Sequence, residues 1–353
     1  SNIKSHISNY YMHRKDFIRS GFLLCTPYVQ PLRSIMRVMG QEDYVMTVNG
    51  HISSADAGFT LTHEHILVDF IGADKITTSR YNESEVYDKA LPVLQEAVKN
   101  GCKTLVECTP NYLGRNAGLL QRLSKASGIH IISNTGYYGA AKEKFLPKHA
   151  YTDSAKQLAA RWINEWEEGI ENNSIKPGFI KTGVDAYPLS PVQQKLIEAA
   201  VLTHLSTGLT FGIHTGDGAA ALEELKIIKA MGVSAEAWIW IHAQNEKNRS
   251  IHIRIAKEGG WVSFDGLSDD SVQQYVQFLK DMKAERLLHK ALISHDAGWY
   301  HVGEPAGGQF RSYNTVFKFL LPMLRKEGFT EKEIKQVFEI NPANALTVKI
   351  RKG

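Results

Sequence analysis

From Tyr44 onward the chain alternates between two hydrophobic rhythms. Short apolar, β-branched runs fall at Phe59–Ile66, Thr104–Cys108, Ile129–Asn134, Gly178–Thr182, Thr210–His214, Ala237–His242, Trp261–Asp265 and Ala291–Asp296. Between them lie longer stretches with apolar residues at helical spacing: Glu83–Asn100, Asn116–Ala126, Thr152–Glu171, Pro191–Leu205, Ala219–Met231, Asn245–Lys257 and Asp270–Arg286. Local signals agree with these bounds. Ser190-Pro191 supplies an N-cap and a first-position proline, Gly101 closes the first helix, and Pro92 marks a start or a kink within it. Ahead of the series, Val45–Val48 followed by Asn49-Gly50 predicts a strand and a tight turn. A Gly-rich segment from Ala297 to Gln309 leads into C-terminal helices, with a break at Asn341-Pro342.

Eight strands, each followed by helix, predict an α/β fold. Parallel strands need crossovers, and eight such units close into a (β/α)8 TIM barrel. Such barrels take roughly 250 residues or more as one domain, so a single catalytic domain over 41–353 accounts for this chain. An open doubly wound sheet is the alternative, but no GxGxxG follows the first strand.

Residues 1–40 do not share the rhythm. Arg14-Lys15 ahead of the apolar patch Gly21–Cys25 is similar to a twin-arginine export signal, with a lysine where the second arginine would stand. On that reading residues 1–40 are a leader and the protein is exported to a periplasm. The other reading is an arm that packs on the domain of a cytoplasmic protein.

Composition excludes several classes. The chain is 43% hydrophobic and 22% charged, an ordinary globular balance. Its net charge of +4 is dispersed, without the basic block of a nucleic-acid binder. No apolar run reaches the roughly 18 residues of a membrane span. Three cysteines, Cys25, Cys102 and Cys108, form neither a disulfide framework nor a zinc knuckle. The expected partner is a small-molecule substrate.

The chemistry gathers at the strand ends. In Leu61–Phe70, LTHEHILVDF, alternation puts His63 and His65 on one face of a strand and turns Glu64 away. Lys181 lies near the end of the fourth strand, His214 ends the fifth, His242 the sixth and Asp296 the eighth. Barrel active sites occupy this rim. Singly, each residue has a structural explanation; His242 suits a satisfied core histidine, and Lys181 a side chain that snorkels to solvent. Together they make a metal-ligand set. A buried lysine near cations favours its neutral amine, which takes up carbon dioxide to become a carbamate able to bridge two ions. Four histidines, one aspartate and that bridge would hold two divalent ions roughly 3.5–4 Å apart, with a hydroxide between them as nucleophile. The ligand types suit zinc, with manganese, cobalt or iron as alternatives.

These segments, with TVNG, GFTLTHEHI, VECTPNYLGRN, NTGYY, GFIKTGVD, FGIHTG, WIWIHAQ, VSFDGL, ISHDAG and NPANAL, resemble the phosphotriesterase family of the amidohydrolase superfamily from about Val45 to Leu346. The resemblance implies that His63, His65 and Asp296 ligate the more buried metal, and His214 and His242 the more exposed one. It implies Lys181 as the carbamylated bridge and Asp296 as general base. Tyr138 resembles an aromatic that lines the pocket and donates to the scissile carbonyl or the hydroxide; packing at the rim is its structural alternative. Family members that hydrolyse organophosphates resemble a histidine–aspartate proton relay whose places here fall on Gly266 and Asn245. Relatives also act on lactones, including phosphorylated sugar lactones, and on N-acyl compounds, and often form homodimers, though no segment here marks an interface. The expectation is therefore hydrolysis of a carboxylic ester or lactone. The rivals are phosphotriester hydrolysis, N-acyl amide hydrolysis, and a barrel that binds a ligand without turnover. After the eighth strand, Trp299, Tyr300 and His301 are candidate substrate contacts: the first two for an apolar or ring-shaped group, His301 with Arg311 for an anionic one.

Overall fold

The structure is a computed structural model that describes residues 43–353, all within one compact unit. The leader or arm expected at 1–40 lies outside the described residues. Strands β1 (Tyr44–Thr47) and β2 (Gly50–Ser53) form an antiparallel hairpin, with Gly50 at φ 106 just past the two-residue turn. The barrel strands are β3 (Thr60–Val68), β4 (Thr104–Glu107), β5 (His130–Ile132), β6 (Asn134–Thr135), β7 (Phe179–Val184), β8 (Phe211–Thr215), β9 (Trp238–Ile241), β10 (Trp261–Phe264) and β11 (Ala291–Ile293). All neighbours in the two barrel ladders, β12-β3-β4-β5 and β6 to β11, are parallel. Only Ser133 separates β5 from β6, so the chain itself joins the ladders there. At the other seam Asp296 donates its amide to His63 O at 3.0 Å. The eight strand positions are thus those of the (β/α)8 barrel, with strands buried on both faces as parallel strands require.

Helices α1 (Glu83–Lys99), α2 (Ala117–Ser127), α3 (His149–Thr152), α4 (Ala155–Glu168), α5 (Pro191–Thr207), α6 (Gly218–Ala230), α7 (Arg249–Lys257) and α8 (Val272–Ala284) follow the strands. Short helices α9 (Leu321–Lys326), α10 (Glu331–Lys335) and α11 (Asn341–Leu346) close the chain, with π-helical turns preceding α9 and α11. None of the described helices is long and apolar enough to cross a membrane. Ser190 caps α5 in a reciprocal box with Gln193, as its sequence predicts. The helix expected over Thr152–Glu171 is α4, whose start Ser154 fixes with its own box to Gln157, and the single turn α3 precedes it. Strands six and eight stop short of His242 and Asp296, whose φ of 66° and 52° cannot continue a strand.

One strand has no counterpart in the predicted series. β12 (Gly298–His301) pairs in parallel with the upper half of β3. Gly298 makes this possible: at φ 89 it lies so close to β3 that a Cβ would stand 1.9 Å from His65 O.

The seam is fastened by Glu64. This fully buried side chain accepts from Ser294 Oγ at 2.7 Å, His295 N at 3.1 Å, His295 Nδ1 at 2.6 Å and Ala297 N at 2.9 Å. His295 Nε2 in turn accepts from Val316 N, which places the imidazole proton on Nδ1. Glu64→Gln would set an amide donor against this row of donors. The expected cost is about 3 kcal/mol, seen as a lower denaturant midpoint with unchanged slope. A variant as stable as the parent would show that Glu64 does not hold the seam.

Candidate metal centre

The β3 alternation delivers both histidines to the barrel mouth, with His63 Nε2 and His65 Nε2 3.2 Å apart. Asp296 Oδ1 lies 3.0 Å from His65 Nε2 and 3.6 Å from His63 Nε2, and Asp296 Oδ2 lies 4.0 Å from His242 Nε2. The hydrogen bonds behind the rings set their protonation. Thr109 Oγ1 donates to Glu107 at 2.5 Å, so it accepts the proton of His65 Nδ1 at 2.7 Å. His242 Nδ1 donates to Asp265 Oδ1 at 2.6 Å. In both rings Nε2 is then a lone pair facing the site. Asp296 Oδ1 is buried and accepts no hydrogen bond. Asp296 and the Nε2 atoms of His63, His65 and His242 thus converge at the mouth, a set of donor atoms of the kind that holds a cation. His63, His65 and Asp296 form one group that can hold a metal ion, and His63, His242 and Asp265 form another.

His214 packs edge-on against His242 with centroids 4.4 Å apart, and its Nδ1 lies 3.0 Å from the Tyr138 hydroxyl. Burial holds His63 below the usual imidazole range; burial with His242 and Lys181 nearby holds His214 well below it. Lys181 is 2% exposed, and its ammonium position is hydrogen-bonded to Thr182 O at 3.3 Å. No carboxylate pairs with it among the described residues. Burial lowers its basicity, which favours the neutral amine. Burial would raise the Asp296 carboxyl, but His63, His65 and His242 outweigh it and hold the group below the ordinary range. Gly136, at φ 117, brings the NTGYY segment against β7; a Cβ there would stand 2.1 Å from Lys181 O. The Tyr138 ring consequently lies over Lys181, 5.3 Å from its Nζ.

The sequence pattern of the Phosphotriesterase family matches residues 43–346. The chain belongs to the phosphotriesterase family. It is 27% identical to an aryldialkylphosphatase of Saccharolobus solfataricus, over 82% of this chain and 95% of that one. It is 23% identical to an N-acetyltaurine hydrolase of Danio rerio, over 86% and 98%. Its fold matches the solved structure of an organophosphorus hydrolase from Deinococcus radiodurans with a TM-score of 0.77 at 23% identity, covering 87% and 98%.

Within this family frame the site has a partner that the strand-end reading passed over. Asp265 is fully buried and accepts from His242 N and Nδ1, Ser263 Oγ and Gln244 Nε2. Its Oδ2 also lies 3.2 Å from His63 Nδ1, within ion-pair distance though off hydrogen-bond geometry. Burial alone would raise this carboxyl; His242 and His63 hold it well below its usual range. Its signal was its place, closing the predicted seventh strand at the same rim as the other ligand-type residues. The next residue is Gly266. A Cβ there would meet Gln244 Nε2 at 2.9 Å and the Tyr275 hydroxyl at 3.2 Å. The Gln244 amide therefore fills the space beside Gly266.

Beyond Asp296, Trp299 lies edge-on to His65 at 5.0 Å, and His301 pairs with Glu304. Tyr300, between them, faces the opposite side of β12 and donates its hydroxyl to Glu85 at 2.7 Å. It is not brought to the mouth. Phe70 and Phe145, which no pattern singled out, are. Asp265→Asn is expected to weaken divalent-metal retention 10- to 100-fold in competition with a chelator. Unchanged retention would mean that the two histidines need no shared carboxylate.

Proposed function

We propose that the protein is a binuclear metal-dependent hydrolase of carboxylic esters or lactones, sugar lactones among them. The observation that carries this reading is the convergence of Asp296 Oδ1, which accepts no hydrogen bond, with the Nε2 atoms of His63, His65 and His242. His63, His65 and Asp296 would hold one ion and His214 and His242 the other. Lys181 would bridge them after its neutral amine adds carbon dioxide, forming an N–C bond and releasing one proton. Zinc suits this set best, with manganese, cobalt or iron next. When bound, such ions supply an acidified water and an electrophile for a carbonyl oxygen.

The protein's own groups do the rest. Asp296, kept ionised by the surrounding imidazoles, accepts the proton of the attacking water. With Gln244 filling the relay position, that proton has no outward path and returns from Asp296 to the departing oxygen. An alkoxide leaving an ester or lactone needs that proton, whereas an aryl phosphotriester releases a weakly basic phenoxide. Burial holds the Tyr138 hydroxyl protonated, so it serves as a donor beside His214 toward the substrate carbonyl. Amide hydrolysis is the second reading. A relative is named for it, and a departing amine needs the same proton.

The test is metal content per chain with native mass for a carbon dioxide adduct, followed by lactone, ester, acyl-amine and organophosphate panels. Two metals and one adduct are expected, with turnover of a lactone or ester. Lys181→Ala should lose most metal and activity and regain part with a short carboxylic acid. Asp296→Asn should lose about 10²- to 10⁴-fold in kcat. Full metal in the first variant or full turnover in the second would overturn these roles.

A further inference from the structure

Four aromatic side chains form an unbroken arc above the histidines. Tyr138 packs edge-on to His214 at 5.0 Å and touches Phe145 at 5.9 Å. Phe145 reaches Phe70 at 5.9 Å, Phe70 reaches Trp299 at 5.5 Å, and Trp299 returns to His65 at 5.0 Å. The arc thus begins on a ligand-type histidine of β8 and ends on one of β3. Its members come from three separate connections, after β3, β6 and β11, so no single loop's packing explains it. Phe70, Tyr138 and Trp299 are only half-buried, which leaves apolar faces at the mouth.

At the Trp299 end stands Arg311. Reciprocal backbone hydrogen bonds with Gly298, 2.9 and 3.1 Å, anchor it. Its guanidinium lies over the Trp299 ring, 5.8 Å from the centroid, and donates to the backbone carbonyl of Asp296. A guanidinium has five N–H donors, and this bond uses one. No carboxylate pairs with Arg311 among the described residues. Arg80, Arg115, Arg122, Arg161, Arg249 and Arg325 each have one, while Arg254, Arg286 and Arg351, like Arg311, have none among the described residues. Arg311 also lines a separate cavity of about 490 Å³ with Asp269, Phe310 and Lys318, to which none of the four arc aromatics contributes.

We propose that this mouth selects an anionic substrate: an aromatic or otherwise flat apolar group lies in the arc of Tyr138, Phe145, Phe70 and Trp299, and Arg311 receives a carboxylate, sulfonate or phosphate at its end. The proposal rests on the hydrolase reading only for where the reacting carbonyl sits. A planar, fixed guanidinium with free donors matches such oxyanions in two-point contacts. Arg311 is a specificity residue here, one that sorts substrates by charge.

The test is calorimetry on the metal-loaded protein with two ligands that are not hydrolysed, 2-naphthalenemethanol and its 6-sulfonate. The parent should bind the sulfonate at least about tenfold more tightly. Arg311→Gln should bring the two dissociation constants within about twofold of each other and leave the neutral ligand's unchanged; Arg311→Lys should keep part of the difference. Phe70→Ala should weaken both ligands alike. Lys144→Gln, whose parent ammonium lies 5.5 Å from the Phe145 centroid at the far end, should preserve the difference. The proposal falls if the parent binds neither ligand or both equally. It falls if the difference survives Arg311→Gln, since the anion is then held elsewhere, or if Lys144→Gln abolishes it. It also falls if Arg311→Gln weakens both ligands alike, which would make Arg311 a prop for Asp296 alone. Absence of turnover on every panel with the charge difference intact would sink the hydrolase reading and leave this one standing.

Discussion

Glu64 accepts four hydrogen bonds from residues 294–297, and through them the last barrel strand is tied to the first. Its neighbours on β3 are His63 and His65, which face the opposite way. The same strand therefore presents two ligand-type side chains to the mouth and, between them, the carboxylate that fixes where Asp296 can be. Were that carboxylate lost, four buried donors would be left without an acceptor, a cost on the scale of a broken buried charge network. Asp296 would also lose the frame that holds it 3.0 Å from His65 Nε2.

The motif recurs around the rim. Glu107 on β4 accepts from Ile66 N, Thr109 N and Thr109 Oγ1, and Thr109 then orients His65. Asp265, just after β10, orients His242 and approaches His63. Burying three acids so close together would be costly if each stood alone. Each instead is surrounded by hydrogen-bond donors, and through them Glu107 and Asp265 orient His65 and His242. Behind the histidines the proton positions are taken by carboxylates and a hydroxyl. In front, His65 and His242 have only lone pairs to offer. This division of labour leaves the imidazoles arranged as groups that can hold a metal ion.

Much of this was legible in the chain because it depends on period and place. Alternation in LTHEHI separated His63 and His65 from Glu64, and strand-end positions gathered Lys181, His214, His242 and Asp296 on one rim. Ser190-Pro191 started a helix as its chemistry requires. What escaped depends on contacts distant in sequence. β12 is stabilised by pairing with β3, which no local pattern encodes, and only the close approach at Gly298 permits it. Asp265 looked like a strand end until its partners stood beside it. Phe70 and Phe145 are aromatics like many others in the chain and acquire meaning only as links in one arc.

His242, Asp296 and Trp299 share a further property, a left-handed backbone at φ 66°, 52° and 76°. For residues with a Cβ this conformation costs about 1–3 kcal/mol each, and here it is held by identifiable bonds. His242 N donates to Asp265, Asp296 N to His63 O, and the Asp296 carbonyl accepts from Trp299 Nε1 and Arg311. The turn at Asp296 is what points its carboxylate inward while leading the chain onward beside β3, in the same direction, as β12. The same turn lifts Trp299 onto His65 and sets Arg311 at its edge. A barrel whose last strand simply continued would have neither the carboxylate nor the aromatic wall. The strained turn, the proposed ligand and the proposed charge selector are thus consequences of one backbone choice, so selection among substrates can change in the loop only as far as the position of Asp296 allows.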